Sequence, residues 1–164
     1  MAEFVPGPES RRALRDAMGR YATGVTIVTA PSDDGPVGIT ANSFTSVSLE
    51  PPLVLWSPAK RSQRCPAFCA ATDFAIHILA ADQAALAAQF ARAGSEFDPA
   101  LWHVGEDRLP LLSHYAARFI CRAHAQHDAG DHVLIIGEVT RACAGDAVAP
   151  LVFSGGHYGT FAGF

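Results

Sequence analysis

Strand-forming runs recur along this chain, and few helical segments fall between them. Residues 25–30 (Val-Thr-Ile-Val-Thr-Ala) are rich in β-branched side chains. The turn cluster Asp33-Asp34-Gly35-Pro36 follows, and residues 37–41 read as the return strand of a hairpin. Residues 53–56 form a short apolar run closed by Ser57-Pro58, as a buried strand would. Residues 74–79 alternate, with Phe74, Ile76 and Ile78 on one face and Ala75, His77 and Leu79 on the other. Residues 118–125 alternate again, 133–143 make the strongest strand, and 151–153 and 158–161 are short strands near the end. Parallel strands need a crossover between neighbours, usually a helix. The helices here are too few and too unevenly placed for that. The pattern predicts an α+β, mainly β domain of about six strands and three helices, closed or nearly closed into an antiparallel barrel that hides its edges.

The helices are legible from a 3.6-residue period. One begins after Ser10 and carries Leu14, Ala17, Met18 and Tyr21 on one face, with Arg11, Arg12 and Arg15 toward water. A second is expected over 62–71 with Ser62 as its N-cap. A third is expected from a cap at Asp82 through Leu86 and Phe90 to Gly94. Residues 95–110 read as a long loop carrying Trp102 and His103. No repeat or linker interrupts residues 1–164, so a single domain is expected.

Composition narrows the function classes. Only 17% of the side chains are charged, against about 25% in typical domains. Apolar surface should therefore await a cover, either a partner subunit or a flat ligand. Hydrophobic residues make up 49% of the chain, which excludes disorder. A net charge of −4 and no Lys/Arg block argue against nucleic acid. No apolar run is long enough to span a membrane, and Arg11, Arg12 and Arg15 lack the apolar core of a signal peptide. Cys65, Cys69, Cys121 and Cys143 show no zinc spacing and read as free thiols in a reducing cytoplasm. His77, His103, His114, His124 and His127 show no metal-ligand spacing either, so no metal is expected.

Five segments carry candidate chemistry. Residues 38–53 hold six hydroxyl or amide side chains, Thr40, Asn42, Ser43, Thr45, Ser46 and Ser48, with no charge before Glu50. Such a run either satisfies its own backbone or meets a flat heterocycle with several carbonyl and ring-nitrogen groups, such as a flavin. Lys60-Arg61-Ser62 precedes a helix start, where amides and cations suit a phosphate; an ordinary capped surface helix reads the same. Phe90-Ala91-Arg92 ends the next helix. Gly130-Asp131-His132 opens the strongest strand, and His132 is suited to a charge change near neutral pH or to holding an amide. Residues 153–161 combine Gly155 and Gly156 with His157 and Tyr158. There is no Gly-x-Gly-x-x-Gly, no phosphate loop, no nucleophile elbow and no paired acids. A pyridine nucleotide, if used, is therefore not held by a dinucleotide-binding fold.

Taken in order, Arg20-Tyr-Ala-Thr-Gly-Val-Thr-Ile-Val-Thr29, residues 38–53, Phe68 through the strand at Phe74, 82–91, 130–139 and the closing Gly-x-x-Tyr158 resemble the short-chain flavin reductases. These are reductase components of two-component flavin-dependent monooxygenases, and the likeness spans nearly the whole chain. It implies an antiparallel six-stranded Greek-key split barrel with peripheral helices, a homodimer with flavin near the interface, and reduction of FMN or FAD by NADH or NADPH. Reduced flavin would then pass to a separate monooxygenase. By position, the resemblance assigns Thr40, Ala41, Asn42 and Ser43 to the isoalloxazine. It assigns Ser46 and Ser48 to the ring or ribityl chain, and Lys60, Arg61 and Ser62 to the phosphate. Phe90 and Ala91 are placed near the flavin, His132 at the nicotinamide as the catalytic position, and Tyr158 closing the site; the role of His157 is left open. Two alternatives stand beside it: a flavin-binding redox carrier or sensor without reductase activity, and an oxidase of the pyridoxamine-phosphate type. The lack of a dense cationic cluster argues against the second.

Overall fold

A computed structural model describes residues 3–145 and 148–161. In chain order its first half comprises α1 (Arg11–Met18), β1 (Thr23–Gly24), β2 (Thr26–Ala30), β3 (Val37–Ala41), β4 (Thr45–Leu49), β5 (Pro52–Trp56), α2 (Cys65–Ala70) and β6 (Asp73–Ile78). The second half comprises α3 (Ala84–Arg92), β7 (Trp102–Val104), β8 (Pro110–Leu112), β9 (Ala117–Ala129), β10 (His132–Ala144), β11 (Leu151–Ser154) and β12 (His157–Thr160). The main sheet is antiparallel, in the order β3-β2-β6-β9-β10-β5-β4. Two smaller sheets, β1-β11-β12 and β7-β8, flank it. No described helix is long and apolar enough to cross a membrane.

The main sheet has seven strands where six were expected, and the reason is local. The polar run at 45–49 is itself a strand, β4, paired only with β5 and largely exposed. Val47 and Leu49 alternate with Ser46 and Ser48, but so short a hydroxyl-rich run reads equally as a polar loop. Residues 95–110 are likewise not all loop. Trp102 is buried and β7 pairs with β8, whose Leu111 and Leu112 are buried as well. The helix expected over 62–71 is shorter, Cys65–Ala70. Ser62 accepts the Arg64 amide at 3.3 Å outside it. The helix expected from Asp82 starts at Ala84, behind a 3-10 turn in which Gln83 Oε1, not Asp82, accepts the Ala80 amide at 2.8 Å. Ser10 precedes α1 but turns back to accept the Gly7 amide, leaving the helix without a side-chain cap.

Burial explains the layering. β2 is buried at every position, and β6 at four of its six. On one face of the sheet Val28, Trp56, Phe68, Phe74, Ile76 and Ile135 form one core. On the other Ile27, Leu79, Phe90, Trp102, Leu112 and Leu151 form a second beneath α3 and β7–β8. A strand that gives both faces to apolar partners reads as a continuous apolar run, as 25–30 does.

His77 lies fully buried in β6, on its second-core face. Its Nδ1 donates to Ile27 O at 3.0 Å, its Nε2 accepts the Leu112 amide at 3.2 Å, and its ring meets Trp102 edge-on at 5.4 Å. One donor and one acceptor bond are satisfied only by the neutral imidazole. Burial accordingly pushes its pKa down from 6.5 to about 3. Below about pH 6.5 the unfolded chain takes up a proton that the folded chain refuses. Stability is therefore lost on acidification at about 1.4 kcal/mol per pH unit until the folded value is reached. Between pH 7 and pH 5 His77 should cost about 2 kcal/mol in urea unfolding. His77→Gln should be less stable at pH 7 and should show a loss on acidification smaller by about that amount. An unchanged pH slope would contradict this role.

Candidate active site

β3 and β4 are the two edges of the main sheet, yet only residues 42–44 separate them in the chain. Thr40 Oγ1 donates to Ala87 O at 2.7 Å, tying β3 to α3. Ala41 makes the last rung, opposite Thr26. Beyond it Ser43 Oγ accepts the Ser57 amide at 2.9 Å, which pins the loop to the end of β5. Phe44 stacks on Phe119, with ring centroids 5.7 Å apart. Ser48 Oγ accepts the Glu50 amide at 3.2 Å and shapes the next turn. The side chains of Asn42 and Ser46 are exposed and make no hydrogen bond among the described residues.

The segment after β5 joins this loop to the β9–β10 turn. Val133 N donates to Pro58 O at 3.1 Å, Lys60 N donates to Asp131 O at 2.9 Å, and Ala59 bridges to His132. Gly130, with φ 66°, makes the turn possible. The Lys60 ammonium donates to both Asp128 oxygens at 2.7 and 2.8 Å and to Gly130 O at 2.7 Å. That contact holds the Asp128 carboxyl below its ordinary value, and it commits the Lys60 charge to the hairpin. Arg61 is exposed and makes no hydrogen bond among the described residues. His132 Nδ1 lies 2.7 Å from Asp131 Oδ1. This contact, with Arg61 as a smaller cause, lowers the Asp131 carboxyl. With Nδ1 engaged, His132 Nε2 is the ring nitrogen left for a ligand.

A third junction involves a residue that sequence reasoning missed. The half-buried Arg64 donates to Gly38 O at 3.1 Å, Phe90 O at 2.7 Å and Ala91 O at 3.2 Å. The last carbonyls of a helix lack internal partners and favour a cation. Arg64 thus caps α3 and holds it against β3, while burial lowers its pKa. No local signal reveals this, because its partners lie 26 or 27 positions away. Phe90 itself is fully buried against Phe97 and Trp102. It packs so closely on Gly38 that a Cβ there would come within 2.6 Å of its ring. Phe90 therefore acts by positioning the end of α3, with its ring in the core and its carbonyl taken by Arg64.

The structure brings together residues 40–43, 57–62 and 130–132, with Arg64, Phe90 and Ala91 behind them. Tyr158 stands apart in the small sheet, its ring against Phe153 at 5.4 Å. No described hydrogen bond or ring contact links it to the other segments. His157 pairs with Ser154 and is exposed. The groups left without internal partners, Asn42, Ser46, Arg61 and His132 Nε2, mix neutral donors and acceptors with one cation. That set fits a ring bearing carbonyls and ring nitrogens, followed by a phosphate. Among the described residues no group of three or more His, Cys, Asp or Glu is placed to hold a metal.

The flavin reductase like domain model matches residues 18–162. FMN reductase (NADH) SmoA of Agrobacterium fabrum is 56% identical over 158 residues, covering 96% of this chain and 90% of that protein. The reductase component of the flavin-dependent trigonelline monooxygenase of Acinetobacter baylyi is 47% identical over 78% of this chain, which spans only 42% of that longer protein. Among solved structures, the NADH:FAD oxidoreductase SgcE6 of Streptomyces globisporus superposes with a TM-score of 0.89 at 39% identity, covering 99% of this chain and 98% of that one.

Arg64→Met keeps the aliphatic stem and strands three carbonyls. It should cost about 2 kcal/mol in urea unfolding. Arg64→Lys should recover less than half of that, since one ammonium does not reproduce the planar fork. A loss below about 0.5 kcal/mol for the Met variant would show that the cap is not structural.

Proposed function

This chain belongs to the flavin reductase like domain family, and from that premise we propose that it is an NAD(P)H-dependent reductase of FMN or FAD. One observation carries the reading. Two motifs distant in sequence, 40–48 and 130–132, are tied to the same short segment, through Ser43–Ser57 and Ala59–His132, and their free polar groups border that junction. The activities named for the related proteins, NADH-dependent reduction of FMN or FAD and the supply of monooxygenases, support it.

When bound, the flavin supplies a ring that accepts a hydride at N5 and the nicotinamide supplies that hydride. The protein's share is binding and orientation. Thr40, Ala41, Asn42 and Ser43 border the ring, and Ser46 and Ser48 stand toward the ribityl side. Arg61 and Ser62 meet the phosphate. Lys60 serves by anchoring this segment to the hairpin through Asp128. His132, oriented by Asp131, offers Nε2 to the nicotinamide carboxamide, and no general acid or base is required. Phe90 and Ala91 set the floor through α3. Closure by Tyr158 requires a second subunit or a movement of its sheet. The split-barrel homodimer fits the exposed Val47 and Leu49 on the edge strand β4, because an open apolar edge invites cover. Four free cysteines suit a cytoplasmic setting, and a separate monooxygenase is the natural consumer of the reduced flavin.

A turnover screen tests the proposal: FMN and FAD, each with NADH and NADPH, followed at the nicotinamide absorbance. Nicotinamide oxidation that depends on added flavin is expected, and none with either flavin would overturn it. His132→Ala should raise the nicotinamide KM about tenfold, the worth of one hydrogen bond to a charged or polar partner. Flavin affinity by fluorescence titration should stay within about twofold. Unchanged reduction kinetics would remove His132 from the nicotinamide site.

A further inference from the structure

The β7–β8 hairpin leaves a cleft of about 360 Å³ against the β2–β3 turn, at the small end of the range of ligand sites. Among the described residues, none from 40–48, 57–64 or 130–132 lines it, so it is separate from the candidate active site. Its walls are stiff. Pro31, Pro36, Pro99 and Pro110 line them, and a fixed φ leaves proline little freedom to lose when a ligand binds. The Pro110 carbonyl also accepts Thr29 Oγ1 at 2.7 Å, which ties this wall to β2. Phe97 and Trp102 add aromatic wall, their rings edge to face with centroids 5.0 Å apart. The Trp102 indole N–H is closed to water and has no partner among the described residues, a donor left over in the wall.

The charge in the cleft is one-sided. No carboxylate lines it, and Arg108 is its one guanidinium. The neighbouring acids are already committed, because Arg141 pairs with both Glu106 and Asp107. Arg108 is exposed and makes no hydrogen bond or ion pair among the described residues. The backbone here is strained as well. Asp107 and Arg108 both stand in the left-handed region, with φ 59° and 61°, which residues other than glycine seldom adopt. Such strain persists only where the surroundings impose it, and it clusters at ligand clamps. Here the Arg141 pairs impose it, together with the bond from the Gly105 amide to Leu109 O at 2.9 Å. They hold an unpaired guanidinium on the rim of a rigid apolar slot.

We propose that this cleft binds a small aromatic carboxylate, with its ring against Trp102, Phe97 and the prolines and its carboxylate on Arg108. A planar guanidinium matches a carboxylate through two parallel hydrogen bonds. Arg108 balances one negative charge, which a carboxylate carries and a phosphate exceeds. The volume admits one ring or two fused rings and is too small for a dinucleotide. The site stands apart from the reductase reading, and neither depends on the other.

Calorimetry on the full chain tests the proposal, with benzoate and 2-naphthoate as probes and their uncharged amides as controls. The acids should bind at one site per chain, and the amides about tenfold more weakly, for want of a charge-assisted hydrogen bond. Arg108→Ala should weaken the acids about tenfold and leave the amides within twofold, whereas a damaged wall would weaken both. Arg108→Lys should recover part of the loss, since an ammonium lacks the planar fork. Saturating FMN and NADH should leave binding of the acids within twofold, and flavin-dependent nicotinamide oxidation by Arg108→Ala should equal that of the wild type. Failure of either acid to bind, equal weakening of acids and amides, or displacement by FMN or NADH overturns the proposal. A lower mass of Arg108→Ala in sedimentation would give this face to a second copy of the chain and overturn it too.

Discussion

Both faces of β2 and β6 must be covered by apolar side chains, and most of the molecule is arranged to meet that demand. Trp56, Phe68 and Ile135 cover one face, and α3 with the β7–β8 hairpin covers the other. The second layer has a consequence beyond stability. Seating Phe90 on Gly38 brings the end of α3 beside β3, and there Thr40 meets Ala87 and Arg64 meets Phe90 and Ala91. The back wall of the site is therefore the edge of a core. Its positions are set by close packing, which tolerates little displacement.

The front of the site rests on backbone bonds. Pro58 to Val133 and Lys60 to Asp131 stitch the loops backbone to backbone, and the Ser43 hydroxyl adds a third tie to the Ser57 amide. The cations then divide by role. Lys60 is spent on Asp128 and Arg64 on carbonyls, while Arg61 and Arg92 remain toward solvent. A reductase that exchanges its flavin benefits from few free charges, because each added phosphate contact slows release.

Legibility followed the range of the interactions involved. The β2–β3 hairpin, β6 and the β9–β10 strands were readable because alternation and turn residues are local signals. β4 was not, since an edge strand with solvated hydroxyls resembles a loop. β7 and β8 were not, because what holds them is Trp102 and Leu112 in a core assembled from distant segments. Of the candidate site, 40–43, 60–62 and 130–132 were legible as motifs. Lys60 was legible only as a positive charge, because Asp128, which takes that charge, lies 68 positions away. Arg64 carried no motif at all.

The amino-acid sequence by itself determined the class of fold, mainly β and antiparallel, and the residue types available for a neutral heterocycle and a phosphate. Those follow from periodicity and side-chain chemistry, which act within a few residues. Only the tertiary structure decided which cations are free, which ring nitrogen of His132 is left open, that the Phe90 ring belongs to the core, and that Tyr158 stands apart from the other site residues. Each of those depends on partners brought together across the sheet, where burial and hydrogen-bond geometry, rather than spacing along the chain, choose the contacts.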